Sequence, residues 1–111
     1  MDIKAENIVA RKSPISKRLK EARLESGISQ KQLGISAGID EFVASSRMNQ
    51  YETGKHSPDF VILQQIAKVL KLPVSYFYTP DNELAALIKG YGRLTTPKKE
   101  QLIRFFEKLQ G

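Results

Sequence analysis

Cysteine is missing altogether from this 111-residue chain, which excludes a disulfide framework, thiol catalysis and any cysteine-ligated metal site. There is a single histidine, His56, and a lone imidazole cannot assemble a multi-histidine metal centre. The chain has no Gly-rich phosphate loop, and its carboxylates are scattered along charged stretches, so the cooperating groups that catalysis needs are absent. Neither an enzyme nor a bound metal or cofactor is expected. No apolar run approaches the ~20 residues of a membrane helix, and no signal-peptide apolar region opens the sequence, so a cytoplasmic, reducing location is expected. Alternating strand patterns, internal repeats and low-complexity tracts are also lacking, which leaves an all-α fold.

What is present begins with positive charge. Eighteen Lys and Arg against twelve Asp and Glu give a net charge of +6, which suits a polyanionic partner. The distribution is uneven. Residues 1–20 hold Lys4, Arg11, Lys12, Lys17, Arg18 and Lys20 against Asp2 and Glu6, and so carry +4 of the total. Residues 25–58 hold fewer bases than acids. Non-specific attraction to phosphate is therefore expected mostly from the front end.

The richest stretch is Ser29 to Pro58, SQKQLGISAGIDEFVASSRMNQYETGKHSP. Ser29 is a good helix N-cap, Gln32 completes an S-x-x-Q capping box, and Ile28 with Leu33 forms a hydrophobic staple. A glycine turn at Gly38 leads into a second helix that ends at Gly54. A short capped helix, a tight turn and another helix are the layout of a helix-turn-helix.

In that second helix Ala44, Met48 and Tyr51 share one face at spacings suited to burial. Ser45, Ser46, Asn49 and Gln50 gather on the opposite face, because 45/49 and 46/50 are i,i+4 pairs. Asn and Gln can offer a donor and an acceptor side by side to an adenine edge, and Ser is small enough to let a helix sit deep in a major groove. Arg47, beside this face, could reach a guanine or a phosphate. An ordinary solvated face is the plain alternative. Such faces usually carry Lys and Glu, the stronger helix formers, and this one carries neither.

Elsewhere, residues 1–14 read as a basic N-terminal arm, flexible in isolation. Ser16 can cap a first helix that runs to Ser26, with Leu19, Ala22 and Leu24 on its inner side. Leu63, Ile66, Ala67 and Leu70 mark a fourth helix over 59–71. Ser75 can cap a short fifth one, 76–78, whose Tyr76, Phe77 and Tyr78 suit core and interface better than base stacking. Thr79 can cap a sixth helix with Leu84, Leu87, Ile88 and Tyr91 on its apolar side, ended by Gly90 and Gly92. Thr96-Pro97 has the N-cap/N1 signature of a seventh. That helix carries Leu102, Ile103, Phe105, Phe106 and Leu109, a stripe too wide to leave in water.

From Ile15 to Tyr78 the chain resembles the Cro/phage-repressor type (XRE) helix-turn-helix family. The matching pieces are RLKEAR (18–23), GISQKQL (27–33), AGI (37–39), MNQYETGKHSP (48–58) and LQQIAKVLKLPVSYFY (63–78). The resemblance implies a five-helix lambda-repressor-like DNA-binding domain over 15–79, followed by a two-helix extension, 80–111. It implies a transcriptional regulator of double-stranded DNA, a repressor that acts as a homodimer on a palindromic operator. By the same resemblance Gln30 holds a phosphate, with a plain surface glutamine as the alternative. Thr53 and Lys55 lie where the family makes its next backbone contact, and His56 is a loop residue or a minor contact there. Arg23 and Glu52 occupy the positions of a structural pair beneath the DNA-facing surface.

One departure stands out. The segment from Leu33 to Tyr51 is about four residues longer than the usual family spacing, close to one helical turn at ~3.6 residues. The recognition helix is expected to start early, at Asp40 or Glu41, with Asp40 as N-cap; a longer turn is the runner-up. The same fold also serves antitoxins and adaptors that bind a small partner protein, which remains the alternative function. The apolar stripe of the seventh helix either packs onto helices 1 and 5 or pairs across a two-fold axis.

Overall fold

The computed structural model describes residues 13–111, and among them every regular element is helical. Helix α1 spans Pro14–Ser26, α2 Gln30–Ser36, α3 Glu41–Thr53 and α4 Phe60–Leu70; a 3-10 turn, Val74–Tyr78, precedes α5, Asn82–Gly92, and α6, Thr96–Gln110. The expected basic arm lies outside the described residues as far as Lys12.

Ser13 and Pro14 do not belong to an arm. Ser13, not Ser16, caps α1, its Oγ accepting from the Ile15 N–H at 3.2 Å. Pro14 at the first helical position, with φ already set for a helix, places the start there. The inner side of α1 is Ile15, Leu19 and Ala22, while Leu24 points into solvent. These three join Leu33, Ala37 and Ile39, Ala44, Met48 and Tyr51, the full α4 stripe of Leu63, Ile66, Ala67 and Leu70, and Tyr76 and Phe77 in a single core. Tyr78 is left largely exposed.

Arg18 is also buried, 4% exposed, although it is a cation. Its Nε donates to the Thr79 carbonyl at 2.9 Å, and its Nη2 donates to the Pro80 carbonyl at 2.9 Å and to Asn82 Oδ1 at 3.0 Å. A buried guanidinium survives by meeting such acceptors. Arg18 is thus committed internally and does not add to the phosphate-facing charge of the front end.

The extension begins differently from expectation. Asp81, not Thr79, caps α5, accepting from the Leu84 N–H at 3.0 Å. The Thr79 hydroxyl is turned back onto the Ser75 carbonyl at 2.7 Å, so Ser75 acts through its backbone and caps nothing. The side of α5 that meets the module is Ala85 with part of Ile88; Leu84 and Leu87 face outward. Small residues explain this choice, because they let the helix axis come close. A Cβ at Gly92 would lie 2.7 Å from the Pro73 ring, so Gly92 is needed for packing, and Gly90 does not end the helix. Glu25 clips α5 to α1, its two oxygens accepting from Lys89 Nζ at 2.8 Å and Arg93 Nη2 at 2.9 Å. Those two bonds hold the Glu25 carboxyl below its ordinary value of 4.5.

Helix α6 buries nothing. Its N-cap is Thr95, one residue before the expected Thr96, without a side-chain bond, and no residue of the helix is buried. Phe105 and Phe106 are 59% and 55% exposed, so α5 does not shield Phe106 and the stripe does not pack onto its own module. Only the start of α6 is tied down, by Lys99 Nζ lying 5.1 Å from the Tyr91 ring centroid.

Candidate nucleic-acid interface

The recognition helix is positioned from its own ends. Asp40 Oδ1 accepts from the Phe42 N–H at 2.8 Å, so the extra residues form an added first turn of α3 and not a longer loop. The preceding turn passes through Gly38 at φ 94, a left-handed conformation that glycine adopts freely. At the far end Gly54 reverses the chain at φ 80. The Gln50 carbonyl there accepts from the Thr53 hydroxyl at 3.3 Å and from the His56 N–H at 3.2 Å.

Helix α2 meets α3 closely. Ser29 Oγ accepts from the Gln32 N–H at 3.0 Å, which is one half of the expected capping box. The other half is not made, because the Gln32 amide instead donates to Ser36 Oγ at 3.0 Å. Gly34 is the contact point: a Cβ there would lie 2.9 Å from the Ala44 Cβ and 3.1 Å from Met48 Cγ. Sequence reasoning passed over Gly34. A glycine inside a helix costs ~1 kcal/mol relative to alanine, and that cost was the available signal of a packing reason.

Arg23 and Glu52 meet under this surface as a two-pronged pair, Nε to Oε2 and Nη2 to Oε1 at 3.1 Å. The third arm of the guanidinium donates to the Ile28 carbonyl at 3.1 Å. Side-chain exposure is 13% for Arg23 and 3% for Glu52. One ion pair therefore joins α1, the α1–α2 turn and α3.

Gln30 leans across from α2, its Nε2 donating to Asn49 Oδ1 at 3.3 Å and to Glu52 Oε1 at 3.1 Å. Asn49 Oδ1 keeps a second lone pair and the amide keeps its two donors, so this contact leaves Asn49 able to meet a base edge. Gln30, Ser45, Asn49 and Thr53 line an open groove of about 490 Å³ above the Arg23–Glu52 pair. Lys20, one of the front-end cations, and Lys31, which the sequence does not mark out, stand on its rim.

The remaining residues fall outside the groove. Ser46 and Arg47 are exposed on α3 beyond it, and Gln50 is half-buried. The Ser46 hydroxyl is bonded back to the Val43 carbonyl at 3.2 Å. Lys55 and His56 project from the loop after α3, both exposed. Ala44, Met48 and Tyr51 are buried as their spacing predicts. Among the described residues no group of acids and histidine is placed to hold a metal, and no helix is long and apolar enough to cross a membrane.

Comparison with known proteins agrees with this geometry. Residues 19–77, more than half of the chain, match the helix-turn-helix family. A solved structure of the transcriptional regulator BswR is 50% identical and superposes with a TM-score of 0.80, over 85% of this chain and 93% of that one. No curated protein matches. A recognition helix capped at Asp40, braced by Arg23–Glu52 and offering a polar face beside α2 thus sits in a chain that belongs to the XRE-type helix-turn-helix family of DNA-binding transcription regulators.

Proposed function

We propose that the protein is a sequence-specific repressor that reads a palindromic operator as a homodimer in the cytoplasm. The observation that carries this reading is the α3 surface. Its exposed positions 45, 46 and 49, with half-buried Gln50, hold only small or amide side chains, next to a groove rimmed by lysines. Asn49 and Gln50 read base edges, and Ser45 and Ser46 allow close approach to the major groove. Arg47 reaches a guanine or a phosphate. Gln30, Thr53 and Lys55 hold the phosphates on either side of the groove and fix the register without choosing the sequence.

Dimerisation is assigned to residues 80–111. Helix α6 presents Leu102, Ile103, Phe105, Phe106 and Leu109 to solvent, and α5 adds Leu84 and Leu87. A self-complementary apolar face is what a two-fold pair requires. It would set two recognition helices ~34–36 Å apart on successive major grooves. Occupying such a site blocks polymerase. The same exposed stripe favours a second reading, in which a small partner protein covers it, as in an antitoxin.

Selection of bound duplexes from a random DNA pool tests the proposal. An enriched palindrome is the expected result. A pool that remains random, with a second small protein co-purifying, would favour the partner-protein reading.

A further inference from the structure

Phe42 is 89% exposed, the most exposed of the large apolar side chains in the described residues. Its backbone is not loose, since its N–H is held by Asp40 Oδ1 at 2.8 Å in the first turn of α3. It also stands in line with the polar face, because 42, 45, 46 and 49 follow the i, i+3, i+4, i+7 pattern of a single helical stripe. The small side chains of Ser45 and Ser46 leave the ring standing clear of its neighbours on that stripe. Asp40 and Glu41 precede it, and their carboxylates favour the middle of a groove over the phosphates at its edges. On the floor of a major groove the one apolar group is the thymine C5-methyl.

We propose that Phe42 reads a thymine by contact with its C5-methyl, at the end of each half-site that meets the start of α3. This rests on the proposal that α3 lies in the major groove. The added helical turn is then a device for specificity. It carries an apolar reader beyond the polar one and shifts the recognised sequence by the base pairs that the turn covers.

The test starts from the duplex enriched from the random pool and replaces each thymine in turn by uracil, which removes only the methyl group. For the parent chain, one position per half-site is expected to lose about fourfold in affinity, the loss expected for one buried methyl. Phe42→Ala is expected to bind the thymine and uracil duplexes equally at that position, while Phe42→Leu retains part of the preference. Because Phe42 touches little of its own chain, both variants should keep parental helicity and melting temperature. A parent insensitive to every replacement, or a Phe42→Ala variant that keeps the methyl preference, would overturn the proposal and leave the operator reading standing. If no duplex is enriched at all, both fail together.

Discussion

Replacing Arg23 with alanine removes three contacts at once: both bonds to Glu52 and the one that satisfies the Ile28 carbonyl. The Glu52 side chain, 3% exposed, is then left with only the Gln30 amide. Removing one partner of a buried pair costs ~3–5 kcal/mol, because the other charge stays desolvated. The surviving Gln30 bond and the partial exposure of Arg23 place this case at the low end, about 3 kcal/mol. A chain of 111 residues unfolds with an entropy of about 0.23 kcal/mol/K, so the melting temperature should fall by roughly 10–15 °C. The double change Arg23→Met with Glu52→Met removes the stranded charge and should recover most of that loss. It should not recover operator affinity, since the pair also sets the angle of α3. Thermal unfolding and a urea double-mutant cycle measure both effects. Strict additivity of the single changes, or an Arg23→Ala shift under about 2 °C, would refute the reasoning.

Other outcomes follow from the same geometry. Lys55→Ala should weaken binding to all sequences alike and lower the slope of log K against log salt by about 0.9, one phosphate contact. An unchanged slope removes Lys55 from the interface. A chain ending at Leu94 lacks α6 but keeps the Arg18 and Glu25 fastenings of α5, so it should sediment as a folded monomer that binds a half-site weakly; a dimer at micromolar concentration would show that α6 is not needed and leave the interface to α4 and the 3-10 turn, or to the Leu84 and Leu87 face of α5 alone. Glu25 contributes a pH-dependent increment. Its folded pKa is depressed, so its stabilisation is present above 4.5 and lost as pH falls below that value. The stability margin of the parent over Glu25→Gln should be small and present at neutral pH, shrink under acid and weaken in high salt, because the pair is exposed.

Much of the helix-turn-helix is legible in the sequence because its signals are local. Asp40, Ser29 and Gly54 act within a few residues of themselves, and the spacing of Ala44, Met48 and Tyr51 is a property of one helix. Arg23 and Glu52 are far apart in sequence, and only the family resemblance paired them. Where two local signals competed, the choice lay elsewhere in the fold. Ser13 and Ser16 could each cap α1, and Pro14 settled it. Thr79 and Asp81 could each cap α5, and the Thr79 hydroxyl was already engaged with Ser75. The apolar periodicity of α5 pointed to Leu84 and Leu87 as its buried side. The fit of Gly92 against Pro73 turned Ala85 inward instead, and nothing in a single helix encodes that. The role of Arg18 was equally hidden, because its acceptors, the Thr79 and Pro80 carbonyls and the Asn82 side chain, lie some sixty residues away at and beyond the far end of the module. In the candidate interface the polar face was readable from i,i+4 spacing. The Gln30–Asn49 contact and the closeness enforced at Gly34 required two helices to be placed together.

The central claim is that the exposed face of α3 chooses the sequence. It is tested most directly by measuring Asn49→Ala and Gln50→Ala against the selected operator and against unrelated duplex in the same salt. Each variant should lose ~1–3 kcal/mol on the operator while non-specific binding stays nearly unchanged. If both variants discriminate between the two duplexes as well as the parent does, the reading face has been assigned to the wrong side of the helix.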